Sequence, residues 1–261
     1  MQRSEIKLNV LGEDGATAPA PGLSVLHRHG AGSGPKAVLG LDVVSDVICP
    51  WCWVGKRRLA KALTLLGDEA DVRVHWRPYQ LNPAMPKEGI DRREYRTRKF
   101  GSWEYSQTLD ARLVAVGRSE GLDFNFDRIS RTPNTLDAHR LIRLAEGSGV
   151  QDAVVEALFR AYFADGVDIG LREHLVDVAA SAGMPAADAE RVLGPDGGVA
   201  DVLAEERRYK GMGIEGVPAF VARGAIAVSG AADPRVMAGA FRDSAGGGEG
   251  PPAVASGAGT T

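Results

Sequence analysis

The chain has 261 residues, with 31 Lys and Arg against 34 Asp and Glu, 44% hydrophobic and 25% charged. That mixture is too apolar for a disordered chain and too even for a fibrous one, and a formal charge of −3 supplies no net field to hold nucleic acid. A membrane span needs roughly 18 apolar residues in a row, and the best run, 37–44, is broken by Gly40 and Asp42; neither nucleic acid nor a membrane is an expected partner.

Residues 1–10 mix charges without an apolar stretch, which predicts a cytoplasmic protein, and the Gly, Pro and Ala that follow make 1–36 an irregular leader. Residues 37–44 are short, apolar and rich in Val, the pattern of a strand. From Pro50 to Leu66, apolar Trp53, Leu59, Ala62, Leu63 and Leu66 recur at helical spacing and Gly67 stops the run. Residues 71–77 alternate with period two, and Pro78, Pro83 and Pro86 close them, so 37–86 reads β-α-β. Between 87 and 211 helical patterns dominate: 94–120, 135–146, 150–163, 171–182, 186–193 and 199–210. Arg92, Arg93, Arg96, Arg98 and Lys99 within this block predict a solvated basic face. In 212–243, strands at 218–222 and 225–229 joined by Arg223-Gly224 precede a helix from Pro234 with Asp233 as its cap. Residues 244–261, rich in Gly, Ala and Pro, read as a flexible tail. The order β-α-β, helices, β-β-α is that of an α/β sheet interrupted by a large all-helical insertion.

Only two cysteines occur, Cys49 and Cys52, at the first strand-to-helix junction. A Cys-x-x-Cys of this kind is a redox pair, half of a metal site or a coincidence. A structural zinc wants four ligands, and His27, His29, His75, His139 and His174 include no recognisable ligand pair near the cysteines, so no metal is expected. Free N–H groups at a helix N-terminus stabilise a thiolate, which makes Cys49 the attacking sulfur; Cys52, one turn inside, is the resolving one. Pro50 fits the first helical position, where no hydrogen bond is lost. Asp46 has three readings: proton acceptor for Cys52, cap of the helix, or a solvated turn carboxylate. Trp51 is expected at an apolar rim for substrate and Trp53 in the core.

Ser45-Asp46-Val47-Ile48-Cys49-Pro50-Trp51-Cys52-Trp53-Val54-Gly55-Lys56-Arg57, with Trp76-Arg77-Pro78-Tyr79-Gln80-Leu81-Asn82-Pro83, Pro133-Asn134-Thr135-Leu136-Asp137-Ala138-His139-Arg140, Gly213-Ile214-Glu215-Gly216-Val217-Pro218-Ala219-Phe220 and Val228-Ser229-Gly230-Ala231, resembles the DsbA family of thioredoxin-fold oxidoreductases, in detail its FrnE-like branch. The resemblance implies a thioredoxin fold with a central mixed sheet, and a cis Val217-Pro218 bond facing the Cys pair. Pro218 would then shape the substrate groove and Val217 would offer backbone groups to a bound chain. Asn134 and His139, in a family motif, are candidates to face the groove; a helix histidine satisfied by local hydrogen bonds is the plainer reading. The expected activity is thiol–disulfide exchange with protein or small-molecule thiols through a mixed disulfide at Cys49, with no bound cofactor and glutathione as a co-substrate, in a monomer or homodimer. The alternatives are a glutathione-dependent isomerase or transferase of the 2-hydroxychromene-2-carboxylate isomerase or kappa-class type, against which Cys49 argues because those branches carry Ser at that position, and a non-catalytic chaperone-like groove.

Overall fold

The computed structural model describes residues 37–195 and 197–246; the expected leader, 1–36, and most of the expected tail lie outside them. Strand β1 (Ala37–Ser45) leads through a turn into helix α1 (Pro50–Leu66), and β2 (Ala70–Pro78) returns parallel to β1 in unbroken register, Ala37 opposite Ala70 and Ser45 opposite Pro78. Parallel neighbours need such a crossover. Two residues of β3 (Ile90–Asp91) precede α2 (Arg92–Phe100) and α3 (Trp103–Ser119), and β4 (Arg131–Thr132) comes back to pair with β3. Then follow α4 (Leu136–Gly147), α5 (Gln151–Arg160) with one π-helical turn (Ala161–Asp165), α6 (Arg172–Ser181), α7 (Ala186–Val192) and α8 (Val199–Gly211). Strands β5 (Ala219–Ala222) and β6 (Ala225–Ser229) and helix α9 (Pro234–Ala245) complete the described chain.

The four-stranded sheet runs β2-β1-β5-β6, with β1 antiparallel to β5 and β5 to β6: a mixed thioredoxin-type sheet whose sequence is interrupted by α2–α8. Strand alternation sorts its side chains. Leu39, Leu41, Val43, Phe220 and Ala222 enter the large core with α1 and α9, whereas Val44, Ala219 and Val221 enter a second cluster with Tyr209 of α8. The β5–β6 turn places Arg223 at φ 51° and Gly224 at φ 76°, the paired positive angles of a tight hairpin.

Several expectations are corrected. The single helix expected over 94–120 is two, because Gly101 adopts φ 88° and the Ser102 hydroxyl accepts the Tyr105 N–H to start α3. Arg92 and Arg96 are not on a solvated face: both reach Asp110 of α3, at 2.6 and 2.7 Å, and Arg92 is buried. Residues 244 and 245, expected in the tail, belong to α9. Among the described residues no helix is long and apolar enough to cross a membrane.

Candidate active site

Cys49 is the N-cap of α1, in extended conformation, and Pro50 takes the first helical position. The turn before it is closed by the Cys49 N–H donating to the Asp46 carbonyl at 3.0 Å, and the Cys52 N–H donates to the Cys49 carbonyl at 3.0 Å. Both thiols are free; Cys49 keeps 6% of its surface and Cys52 none. The Cys49 thiol donates to the Val217 carbonyl at 3.5 Å, across a chain separation of 168 residues. The Val217–Pro218 bond is cis, as the resemblance implied, and the Pro218 carbonyl accepts the Gly230 N–H at 2.7 Å. Trp51 stands out beside the pair with 43% of its surface exposed, while Trp53 is buried.

Gly55 is a site residue that the motif reading passed over. A Cβ there would lie 2.8 Å from Pro218 Cγ, so its bareness lets the proline loop close onto the first turns of α1. The signal was legible: a glycine inside a helix costs about 1 kcal/mol against alanine and asks for a reason.

Burial pushes the Cys52 thiol well up; the neighbouring Cys49 thiol adds to this, while the Ser45 side chain and the Asp46 backbone oppose it. Cys52 therefore holds its proton at neutral pH. Ser45 faces this thiol because, as an odd-numbered residue of β1, it points to the same side as Leu41 and Val43; sequence reasoning did not single it out.

Asp46 does not cap the helix with its side chain, and it is not solvated. No side chain caps α1, and Asp46 is fully buried. Its Oδ2 accepts the Leu81 N–H at 2.8 Å, and its Oδ1 lies 3.5 Å from His139 Nε2. His139 is therefore brought from α4 to the turn that precedes Cys49. Asn134 acts as a staple: its amide donates to the Met85 carbonyl at 2.7 Å and its carbonyl accepts the Leu136 N–H at 2.9 Å. The rest of that motif is structural. Arg140 pairs with Asp137 at 2.6 Å and donates to the carbonyls of Val192, Gly194 and Gly197. Glu206 of α8 holds the neighbouring loop, accepting the Gln80 N–H at 2.7 Å and its side-chain amide at 2.8 Å.

Helix α1 is fastened to the helical block through Trp53. Its ring meets Phe124 edge-on at 5.2 Å and stacks on Phe159 and Phe163 at 6.3 and 5.9 Å, and its indole N–H donates to Glu156 at 3.2 Å. Arg57 makes a forked pair with the same carboxylate, and Lys56 reaches it at 3.3 Å and Asp152 at 2.9 Å. Among the described residues no group of three His, Cys, Asp or Glu is gathered in a way that could hold a metal ion.

Comparison with known proteins places this arrangement. The model of the DSBA-like thioredoxin domain matches residues 40–242. The structure of a probable DsbA oxidoreductase from Streptomyces coelicolor superposes with a TM-score of 0.74 at 34% identity, over 82% of this chain and 92% of that one. The cytosolic disulfide reductase DsbM of Pseudomonas aeruginosa, solved with GSH, shares the fold at a TM-score of 0.50 and 22% identity, over 70% and 85% of the two chains. A protein of Bacillus subtilis, YwbO, itself uncharacterized, is 26% identical over 153 residues, 59% of this chain and 70% of its own.

Proposed function

The chain belongs to the family of DSBA-like thioredoxin domains, and on that premise we propose that it is a thiol–disulfide oxidoreductase working through Cys49 and Cys52. The observation that carries this reading is the Cys49 thiol at the helix N-cap, 3.5 Å from the Val217 carbonyl, with Cys52 sealed one turn behind it. In the oxidising direction for the enzyme, the Cys49 thiolate attacks a substrate disulfide, one substrate sulfur leaves with the electron pair, and a mixed disulfide forms at Cys49. Cys52 then loses its proton and attacks the Cys49 sulfur, and the second substrate sulfur leaves as thiolate. Two cysteines are oxidised and one substrate disulfide is reduced; the reverse sequence oxidises a dithiol. Trp51 and Pro50 form the rim that receives the substrate chain, and Val217 and Pro218 its opposite wall.

DsbM, a cytosolic reductase solved with GSH, supports glutathione as the small-thiol partner and the cytoplasm as the setting. The test is equilibration of the full chain in glutathione buffers of graded ratio, followed by alkylation of free thiols. A single two-electron transition is expected, abolished by Cys49→Ser or Cys52→Ser, with Cys52→Ser accumulating the glutathione mixed disulfide at Cys49. The midpoint assigns the direction. Absence of any transition in the unsubstituted protein would refute the proposal.

A further inference from the structure

The loop that carries Val217 and Pro218 is held at both ends. Downstream, Pro218 runs straight into β5, whose Ala219 pairs with Val44 of β1. Upstream, α8 is closed by the Met212 and Gly213 N–H groups, which donate to the Tyr209 and Lys210 carbonyls at 3.1 and 3.0 Å, and Ile214 is buried before the chain reaches Val217. Ile214 shares an apolar cluster with Tyr209, Val44, Tyr79, Ala219 and Val221, and Met212 and Val217 pack against it. Such packing fills the space between α8 and the sheet but leaves the helix free to slide; a buried hydrogen bond removes that freedom.

Tyr209 supplies that bond. None of its surface reaches water, so its hydroxyl needs a partner inside the protein; it donates to Asp42 Oδ2 at 2.8 Å. Asp42 stands within β1, with Val221 of β5 opposite it on one side and His75 of β2 on the other. On the same helix, Glu206 accepts the Gln80 N–H and side-chain amide, and Glu205 accepts Arg77 at 3.1 Å. Arg77 in turn holds Asp42 Oδ1 at 2.8 Å and Glu146 of α4 at 2.9 Å. Helix α8 is thus tied to β1, to β2 and to the loop after β2. Both ends of the Val217–Pro218 loop are referred to β1, the strand that leads into the turn before Cys49.

We infer that Tyr209 is a positioning residue for Cys49: its bond to Asp42 holds α8 so that the Val217 carbonyl stays against the Cys49 sulfur, and Glu206 is the second anchor. This rests on the redox reading above and deepens it. The Cys49 thiol donates to the Val217 carbonyl at 3.5 Å, a bond that exists only while the sulfur carries a proton, because a disulfide has no donor. A carbonyl held in place therefore favours the reduced pair, and one that retreats favours the disulfide. The same loop is the wall against which an incoming disulfide is received, so its retreat also slows attack by Cys49. Burial, then the Asp42 hydrogen bond, push the Tyr209 hydroxyl up, so it keeps the proton it donates at neutral pH.

The test is the equilibrium of the full chain with glutathione, in which one glutathione disulfide takes two electrons and two protons from Cys49 and Cys52 and leaves as two GSH. Tyr209→Phe keeps the ring in its cluster and removes only the hydroxyl. It should shift the equilibrium constant toward the protein disulfide by about threefold or more, and Tyr209→Phe combined with Glu206→Gln should shift it further. In stopped flow with 5,5′-dithiobis(2-nitrobenzoate), the first yellow thiolate released reports attack by Cys49, and this phase should slow by about threefold in Tyr209→Phe. Leu175→Ala, in the buried core beside α6, is the control for lost stability: it should unfold at lower urea yet keep the equilibrium and the Cys49 phase of the parent. If the combined variant does not fold, Tyr209→Phe alone decides. A parental equilibrium constant in Tyr209→Phe, or an equal shift in Leu175→Ala, overturns the inference and leaves the redox reading intact. Absence of any two-electron transition in the unsubstituted protein overturns both.

Discussion

Glu156→Gln tests the clamp that docks helix α1 on the helical block. Burial works to raise the Glu156 carboxyl, but the Arg57 hydrogen bond, the charges of Lys56 and Arg57 and the Trp53 indole outweigh it and hold it at about 2, against an ordinary 4.5. At 1.36 kcal/mol per pH unit that gap corresponds to about 3 kcal/mol of stability at neutral pH. Arg57 and Glu156 keep 30% and 29% of their side-chain surface in water, so solvent screening reduces the figure to about 1–2 kcal/mol. The sign follows from the depressed value: the contribution is complete above about 4.5 and disappears as pH falls through about 2. Glutamine keeps the shape and an acceptor for the Trp53 indole but loses the charge. Urea unfolding followed by tryptophan fluorescence should show the variant about 1–2 kcal/mol less stable at neutral pH, with the difference shrinking as the pH is lowered from about 5 to about 3. A difference that does not change with pH, or none at neutral pH, would show that the clamp is packing of Trp53 and not charge.

Gly55→Val drives a side chain against Pro218 Cγ, which would lie 2.8 Å from the new Cβ; overpacking should cost about 1–3 kcal/mol in denaturant unfolding, and displacement of the proline loop should slow the Cys49 phase with 5,5′-dithiobis(2-nitrobenzoate). A variant as stable and as reactive as the parent would contradict the close approach. Arg140→Leu strips the guanidinium from the carbonyls of Val192, Gly194 and Gly197 and should cost about 3 kcal/mol, with new protease cleavage between α7 and α8; intact digestion kinetics would argue that the loop is held by other contacts. Glu206→Gln keeps the fold of α8 but weakens the hold on Gln80 and removes the ion pair with Lys210. Its carboxyl is held low despite burial, by Lys210 and Gln80, so the stability lost by the variant should be present at neutral pH and absent when pH falls well below the ordinary carboxylate range; a loss that persists in acid would contradict this.

What was legible in the sequence is what short-range pattern encodes. Strand alternation in 71–77, helical spacing from Pro50 to Leu66 and the Arg223-Gly224 turn each state a local preference that the fold does not override. The pair Cys49 and Cys52 is legible for the same reason, because its geometry is the first turn of one helix. The β3–β4 ladder is two residues long on each side, too short to carry a period. The break at Gly101-Ser102 carried a stop and a cap side by side, and continuous amphipathic spacing across it hid both. Arg92 and Arg96 look like a charged face until α3 folds back and presents Asp110; a buried ion pair between two helices leaves no local mark.

Asp46 shows most clearly where local reasoning stops. A carboxylate three residues before Cys49 was open to use as the cap of α1, although a capping side chain belongs to the N-cap position, which Cys49 itself occupies. The strand decides otherwise. Ser45 and Asp46 leave β1 on opposite sides, so the side that meets Cys52 receives the hydroxyl, and the carboxylate is sent toward the Leu81 N–H and His139. Those partners come from separate parts of the chain, Leu81 with its loop pinned by Glu206 of α8, His139 on a helix whose start is fixed by Asn134. Three motifs that look independent along the sequence thus converge on one residue, and each element that carries them is held by its own polar contact. A turn that keeps two sulfurs in register cannot rely on apolar packing alone, which fixes volume better than direction. The buried polar contacts around Asp46 supply that direction, and the helical block is the part of the fold that brings them there.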